Sequence, residues 1–521
     1  MKKSTLMAII FVVVAILGVF MYKEAIPFLK SKLQKQTSDA KDLKGDINIA
    51  LDSWVGYYPI QSSKMKQRLR SEGFKLEVID DMADYASRMK GLADRKYDFA
   101  VATIDSDILN SVPVDFPGII IMVIDESKGA DAMVAHSNVV SSLDSFKGDA
   151  FTGKIGYTAF SPSHHLLKMV ISDFDLTALK KLSPQQKMET KDSVEAFKLF
   201  KDKRVQVAIL WEPDVTKAMK LPGVVKIIGS ESVNRGIVDV LLVSRDYAVK
   251  YPERVDLVLK TYFRVLKFYM DNPEDLRDDI SGDLKVSKDE AESMIAGVAW
   301  VNLTENAQQW FGIAGEGQTA EQGLVDSIDS TVSILLSNDD FSQNPLPDKD
   351  PYRIINSSFI SAIYTEGLKT GFAGLEGGTQ SATGAKQFKP LTDMQWARLK
   401  SVGSIKVEPI RFQSGLSDLT VSEKEKLDDA VTRLKRYPTF RILIAGHTST
   451  SGDPEANTAL SQQRAEAVAR YLMITYSIDE NRIKTVGYGG QKPLPRNPGE
   501  SDRSLGYRLP RVEISVLSES Y

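Results

Sequence analysis

The chain has 521 residues, 42% hydrophobic and 26% charged, which is enough apolar material to exclude wholesale disorder and enough length for about three folded units. Its 66 basic and 69 acidic residues leave a formal charge of −3, without the basic excess of a nucleic-acid binder. With no cysteine and only four histidines, it cannot form disulfides, Cys-zinc sites, iron–sulfur clusters or thiol nucleophiles, and a multi-His metal site lacks material; no metal or cofactor is expected.

Met1-Lys2-Lys3 leads into an uncharged apolar run from Leu6 to Tyr22. About 17 residues at 1.5 Å each reach about 26 Å, the lower limit for crossing hydrocarbon. Bulky Val19-Phe20-Met21-Tyr22 stand where signal-peptide cleavage wants small residues, so 1–22 reads as an uncleaved anchor rather than a cleaved signal. Lysines lie on both flanks, so charge alone does not set orientation. Residues 23–45, rich in Lys, Ser, Gln and Asp, read as a spacer.

Residues 46–340 alternate short strands with helical stretches. Ile47–Leu51, Leu76–Ile79 and Phe99–Thr103 read as strands around helices at Pro59–Arg70 and Met82–Ala93. A second set begins at Lys154–Tyr157, with a helix from Pro162 and strands at Val205–Leu210 and Val238–Val243. Pro252–Leu336 is mainly helical. This order predicts α/β folding in two lobes with parallel sheets. Ligands on such sheets bind beyond the carboxyl ends of the strands. The loops there carry Trp54 and Tyr57, Thr103 and Ser106, Ser127, Ser161 and His164, and Trp211 and Glu212. Hydroxyls and free N–H groups at helix starts suit a small polar or anionic ligand, with the aromatics as walls. Taken singly, each of these motifs is also ordinary helix capping and turn chemistry.

Trp54-Val55-Gly56-Tyr57, Gly91-Leu92-Ala93-Asp94 with Tyr97-Asp98-Phe99-Ala100, the Asp125–Asp131 stretch and Trp211-Glu212-Pro213 together resemble a periplasmic substrate-binding protein of the nitrate/sulfonate/taurine type. The resemblance spans about residues 46–300. It implies two lobes closing on a ligand and, in many members, delivery to an ABC transporter. A related branch makes a thiamine pyrimidine with a Cys-rich segment, which this cysteine-free chain lacks.

Pro345 and Pro347 break the helical pattern, and Gly371–Gly384 has flexible-linker composition, giving a connector over 341–394 with an apolar, packable stretch at Tyr352–Tyr364. In 395–521, Ile405–Phe412 reads as a strand, Ser422 with Glu425 as a capping box, Phe440–Ala445 as a strand, Asn457–Leu472 as a helix, and Val512–Val516 as a closing strand. These elements predict a small C-terminal α/β sandwich. Gly446-His447-Thr448-Ser449, the Leu460-Ser461-Gln462-Gln463-Arg464-Ala465 stretch, Gly487-Tyr488-Gly489 and Arg511-Val512-Glu513-Ile514 resemble the OmpA-like peptidoglycan-binding domain. The resemblance implies that Arg464 takes the carboxylate of the peptide-stem diaminopimelate, beside Thr448, Asn457 and Arg511. The family's Asp, which pairs with the ligand ammonium, is Ser449 here. Either Asp453 replaces that carboxylate, or the domain keeps the fold and binds weakly or binds something else.

The sequence therefore predicts a single-pass inner-membrane protein with its bulk in the periplasm, a two-lobed substrate-binding fold joined to an OmpA-like sandwich. It is expected to bind a small ligand and peptidoglycan and to have no enzyme activity and no nucleic-acid partner. The alternative is a solute receptor for an ABC transporter whose wall domain no longer binds diaminopimelate.

Overall fold

A computed structural model describes residues 43–148, 151–314, 320–371, 388–413 and 415–519. The expected anchor at 1–22, nearly all of the spacer and most of the Gly/Ser-rich linker lie outside them. Among the described residues, no helix is long and apolar enough to cross a membrane.

The chain begins with β1 (Gly45–Leu51), β2 (Phe74–Asp80), β3 (Phe99–Thr103) and β4 (Gly118–Ser127), with helices Ser63–Ser71, Tyr85–Ala93 and Ile104–Ser111 between them. It then crosses to a second lobe and forms β5 (Asp131–His136), β6 (Ile155–Thr158), β7 (Lys187–Thr190), β8 (Val207–Trp211) and β9 (Val224–Gly229). It returns to the first lobe as β10 (Val238–Ser244) and β11 (Val298–Trp300). The first sheet has the order β11-β4-β10-β3-β1-β2 and the second β7-β6-β8-β5-β9. Two crossing segments, after β4 and after β9, thus join the lobes.

The expectation of parallel sheets needs correction. β1 runs parallel to β2 and β3, but β10 is antiparallel to both β3 and β4. In the second lobe β5 is antiparallel to β8 and β9. β5 and β10 are the strands by which the chain enters a lobe from the other side, so the crossings impose their reversed pairing; β11, also antiparallel to β4, follows the helices of the first lobe. The helix read over Pro59–Arg70 is two, Tyr58–Gln61 and Ser63–Ser71, because Ser62 leaves helical geometry to cap the second, its hydroxyl accepting from the Met65 N–H. β5 went unread, since the run from Met122 to Ala135 is almost uniformly buried and shows no alternation.

The stretch expected to pack near Tyr352–Tyr364 is a helix at Ser358–Thr370, which buries Ile360, Ile363 and Tyr364 in the first lobe. The C-terminal domain has a sheet in the order β12-β15-β13-β14, from β12 (Lys400–Ser404), β13 (Arg441–His447), β14 (Ile483–Gly487) and β15 (Arg511–Ser518), against helices Val421–Arg436 and Pro454–Tyr476. The strand expected at Ile405–Phe412 lies earlier, at β12. Ile405 instead forms a single bridge with Phe174 of the second lobe, and Pro409 has no N–H with which to extend a ladder. The helix cap is Thr420, whose hydroxyl accepts from the Glu423 N–H, and not Ser422; Glu423, not Glu425, turns back to accept from the Arg411 N–H at 2.8 Å.

The C-terminal domain packs on the second lobe through a continuous core. Leu143, Phe174, Val402, Ile405 and Tyr437 belong to one buried apolar cluster. Within it Asp173, fully buried, accepts from the Tyr437 hydroxyl at 2.9 Å and pairs with Arg436. Backbone bonds from Lys406 to Asp173, from Asp175 to Ser404 and from Asn234 to Arg436 complete the seam.

Candidate functional site

Between the lobes lies a cavity of about 410 Å³. Loops after β1 and β2 supply Asp52, Ser53, Trp54 and Asp80–Ala83 from the first lobe. The second lobe supplies Pro162, Asp192–Val194 and Trp211–Asp214. Asp131 opens β5 and Asp239 lies at the start of β10, the two strands that follow the crossings. Of the residues singled out by sequence, Trp54, Tyr57, Trp211 and Glu212 line this cavity.

The others sit behind or beside it, occupied with their neighbours. Thr103 is buried and donates to the Ser106 hydroxyl at 2.9 Å. Ser127 donates to Asp131 at 2.7 Å and lies 2.8 Å from the Ser230 hydroxyl. Ser161 donates to the Thr158 carbonyl at 2.7 Å, the turn that starts the Pro162–Asp173 helix. His164 packs on the Tyr157 ring, accepts from the Phe160 N–H, and is held neutral by burial, its pKa pushed down to about 3.

The feature that sequence reasoning missed is negative charge. Seven lining residues are carboxylates (Asp52, Asp80, Asp131, Asp192, Glu212, Asp214 and Asp239), and no lining residue is lysine or arginine. Arg88, fully buried behind the wall, pairs with Asp52 and Asp81, and Lys217 pairs with Asp214 at 2.9 Å. Among the described residues, Asp131 and Asp239 have no basic partner. Asp131 is 2% exposed; one of its oxygens accepts from Ser127 while the other, Oδ1, has no partner. Burial, with Asp105 and Glu212 nearby, pushes its pKa up to about 7. Asp239 faces Asp125 across the β4–β10 pair, and burial and this like charge raise it strongly; it accepts from the Tyr57 hydroxyl. Asp125 is likewise raised by burial and keeps Oδ2 unpartnered. An anionic ligand, as the sequence suggested, would find no lysine or arginine countercharge in this lining among the described residues. The missed signal was a carboxylate set inside an apolar strand: Val238-Asp239-Val240-Leu241-Leu242-Val243. Charge inside such a run is rarely solvated, and it marks either a partner or a ligand.

Local backbone explains the precision of the first wall. Trp54 Nε1 donates to Asp125 at 3.3 Å, and a Cβ at Gly56 would collide with both Asp125 and the Trp54 indole. At the mouth, Met82 and Ala83 hold left-handed φ angles of 57° and 62°, which set Met82 83% exposed. Val194, 62% exposed, stands on the opposite lobe.

In the C-terminal domain, Thr448, Ser449, Asp453 and Asn457 gather where the loop after β13 meets the start of the Pro454–Tyr476 helix. The Thr448 N–H donates to the Gly489 carbonyl, and Asn457 donates to the Ser451 carbonyl at 2.9 Å. Asp453 is the helix cap and accepts from the Ala456 N–H at 2.8 Å. Arg464, two turns further on, donates to the Leu416 and Gln413 carbonyls at 3.0 and 3.3 Å and stacks on Phe412, which leaves it 5% exposed. Arg511 donates to Glu513 at 2.7 Å and to the Leu509 and Lys492 carbonyls. His447, stacked near Tyr488 with both ring nitrogens unpartnered, is kept neutral by burial and by Arg511, with its pKa lowered to about 4. No cluster of three metal-ligating side chains occurs among the described residues.

Residues 411–505 match the OmpA family. The chain is 35% identical to the probable lipoprotein YiaD of Escherichia coli across 107 residues, 20% of this chain and 47% of that protein. It is 31% identical to the peptidoglycan-binding protein ArfA of Mycobacterium tuberculosis across 137 residues, 26% of this chain and 40% of that protein. It is also 28% identical to outer membrane porin F of Pseudomonas aeruginosa across 111 residues, 21% of this chain and 31% of that protein. The chain thus spans less than half the length of these relatives. Among solved structures, the first part is similar to the alkanesulfonate-binding protein SsuA of Xanthomonas axonopodis, at 14% identity and a TM-score of 0.45, covering 61% of this chain and 99% of that one. SsuA of Escherichia coli gives 15% identity and a TM-score of 0.44, over 56% and 92% of the two chains. The desulfurization enzyme DSZB gives 11% and 0.40, over 62% and 99%.

Proposed function

We propose that this chain is a binding protein of the bacterial envelope, not an enzyme, which holds a small polar ligand between its two lobes and docks on peptidoglycan through its C-terminal domain. The observation that carries this reading is a cavity walled by loops of both hinged lobes on a chain whose C-terminal part matches the OmpA family. A relative of that part carries the name peptidoglycan-binding protein. The apolar run at 6–22 would hold the protein in the inner membrane with its bulk in the periplasm, where the wall lies. Because the C-terminal domain is fused to the second lobe by a shared core, the first lobe is the moving part. Ligand closure would swing it over the mouth and cover Met82 and Val194.

Lobe closure is measurable, because the chain has no cysteine and two can be introduced cleanly. Spin labels at Lys90→Cys and Lys201→Cys, exposed positions on helices of opposite lobes, report the inter-lobe distance. Adding back the small molecules released from natively purified protein should shorten that distance. A distance unchanged by them contradicts the hinged-cleft reading.

A further inference from the structure

We propose that the cleft selects a small organic cation, its ammonium or guanidinium group held by Asp131, Asp239 and Glu212, and its body set against Trp54 and Trp211. This deepens the cleft reading above and rests on it. Four observations converge. Every charged residue of the lining is acidic. Asp131 lines the cavity, and its buried Oδ1 has no hydrogen-bond donor, which is a cost to the free protein that a cationic donor would remove. The walls are aromatic, with Trp54, Tyr57, Tyr85 and Trp211, and the face of an indole attracts a cation with the same sign preference as a carboxylate. The carboxylates come from separate loops, and among the described residues no three metal-ligating side chains converge as an inner-sphere metal site requires. That points away from a metal ion and toward a larger, hydrogen-bonding cation that fits a cavity of about 410 Å³.

The arrangement divides the work. The end of β8 and the residue after it carry Trp211 and Glu212 together, so closure of the two lobes would bring an aromatic face and a carboxylate to the ligand at once. Asp131 and Asp239 sit at the starts of β5 and β10, next to the crossings, and would contact it in the open and closed states alike. The contacts to Trp211 and Glu212, made only when the lobes close, are what would favour the closed form.

The test uses the full chain and six named probes: choline, putrescine and agmatine against isethionate, methanesulfonate and nitrate. Calorimetry and thermal shift at pH 7.5 and low salt should show at least one cation binding with one-to-one stoichiometry and raising the melting temperature, and no anion doing so. Asp131→Asn should weaken that cation at least tenfold, and Glu212→Gln several-fold, with the unliganded melting temperature of each variant recorded as the folding control. An anion that binds more tightly than every cation overturns the proposal, as does silence from all six probes or a cation whose affinity is unchanged in the Asp131→Asn/Glu212→Gln double variant. The Trp54→Ala/Trp211→Ala variant separates this from the underlying reading. If a bound anion is lost there, the cleft stands and the charge assignment falls. If a bound cation is retained there, the cleft assignment itself falls.

Discussion

Replacing Asp173 should uncouple the C-terminal domain from the second lobe. Its carboxylate is fully buried, takes the Tyr437 hydroxyl at 2.9 Å and pairs with Arg436, which is itself only 14% exposed. Breaking a buried pair by deleting one partner costs roughly 3–5 kcal/mol, because the other charge is stranded. Arg436 reaches some water and keeps its bond to the Ser330 hydroxyl, so about 3 kcal/mol is the reasonable figure for Asp173→Ala. At roughly 2–4 °C per kcal/mol for units of this size, the melting temperature should fall by about 6–12 °C. Asp173→Asn, which can still accept from Tyr437, should lose less. Differential scanning calorimetry gives a second readout, since a shared core predicts one cooperative transition in the native chain and two in the alanine variant. In a double-mutant cycle, Arg436→Ala on top of Asp173→Ala should add little. A loss under about 0.5 kcal/mol with cooperativity unchanged would refute the claim that this seam joins the two units.

Three further outcomes follow from the same geometry. Gly56→Ala should abolish binding of any cleft ligand, because the added methyl collides with Asp125 and the Trp54 indole; native-like binding by calorimetry would contradict that packing. Between pH 6.5 and 8 the unliganded chain should lose thermal stability as pH rises, since the folded protein holds a proton on Asp131 up to about pH 7 while the unfolded chain, with an ordinary carboxylate near 4, does not. The depressed histidines His164 and His447 act in the opposite direction only below about pH 6.5, where the unfolded chain begins to take up their protons; a melting temperature that does not fall over this window, or an equal slope in Asp131→Asn, would refute the assignment. Arg464→Ala should destabilise the C-terminal domain by about 2–3 kcal/mol, because two carbonyls of the 413–416 segment lose a charged donor and Phe412 loses its stacking partner; chemical denaturation of the full chain measures it.

Much of this architecture was written in short-range pattern. The βα alternation placed β1, β3, β8 and β10 within a few residues, and the Gly446–Ser449 and Ser461–Arg464 motifs located the loop and helix of the C-terminal domain. Trp54 and Trp211 were found because each follows a strand, and position after a strand is a sequence property. What could not be read depends on partners far apart in the chain. Asp173 and Tyr437 meet across 264 residues, so nothing near either one announces the seam. The acidic cleft was hidden for a related reason. Asp52, Asp131, Glu212 and Asp239 are scattered singly, and in a chain with nearly balanced charge each passes for a solvated surface residue. Only the fold brings them to one cavity and leaves Asp131 Oδ1 without a donor. The misplaced cap at Ser422 has a local cause: Thr420 and Ser422 are both good caps, and the choice fell to Glu423, which is drawn to the Arg411 N–H.

The central claim is that a ligand cleft is held on the cell wall, and co-sedimentation of the detergent-solubilised full chain with purified sacculi tests it most directly. The native chain should pellet with sacculi in a salt-sensitive manner. Ser449→Asp, by restoring a carboxylate for the diaminopimelate ammonium, should pellet more completely. Asp453→Ala should matter only if that helix cap has taken over the role. A native chain and a Ser449→Asp variant that both remain in the supernatant at low salt would contradict the account.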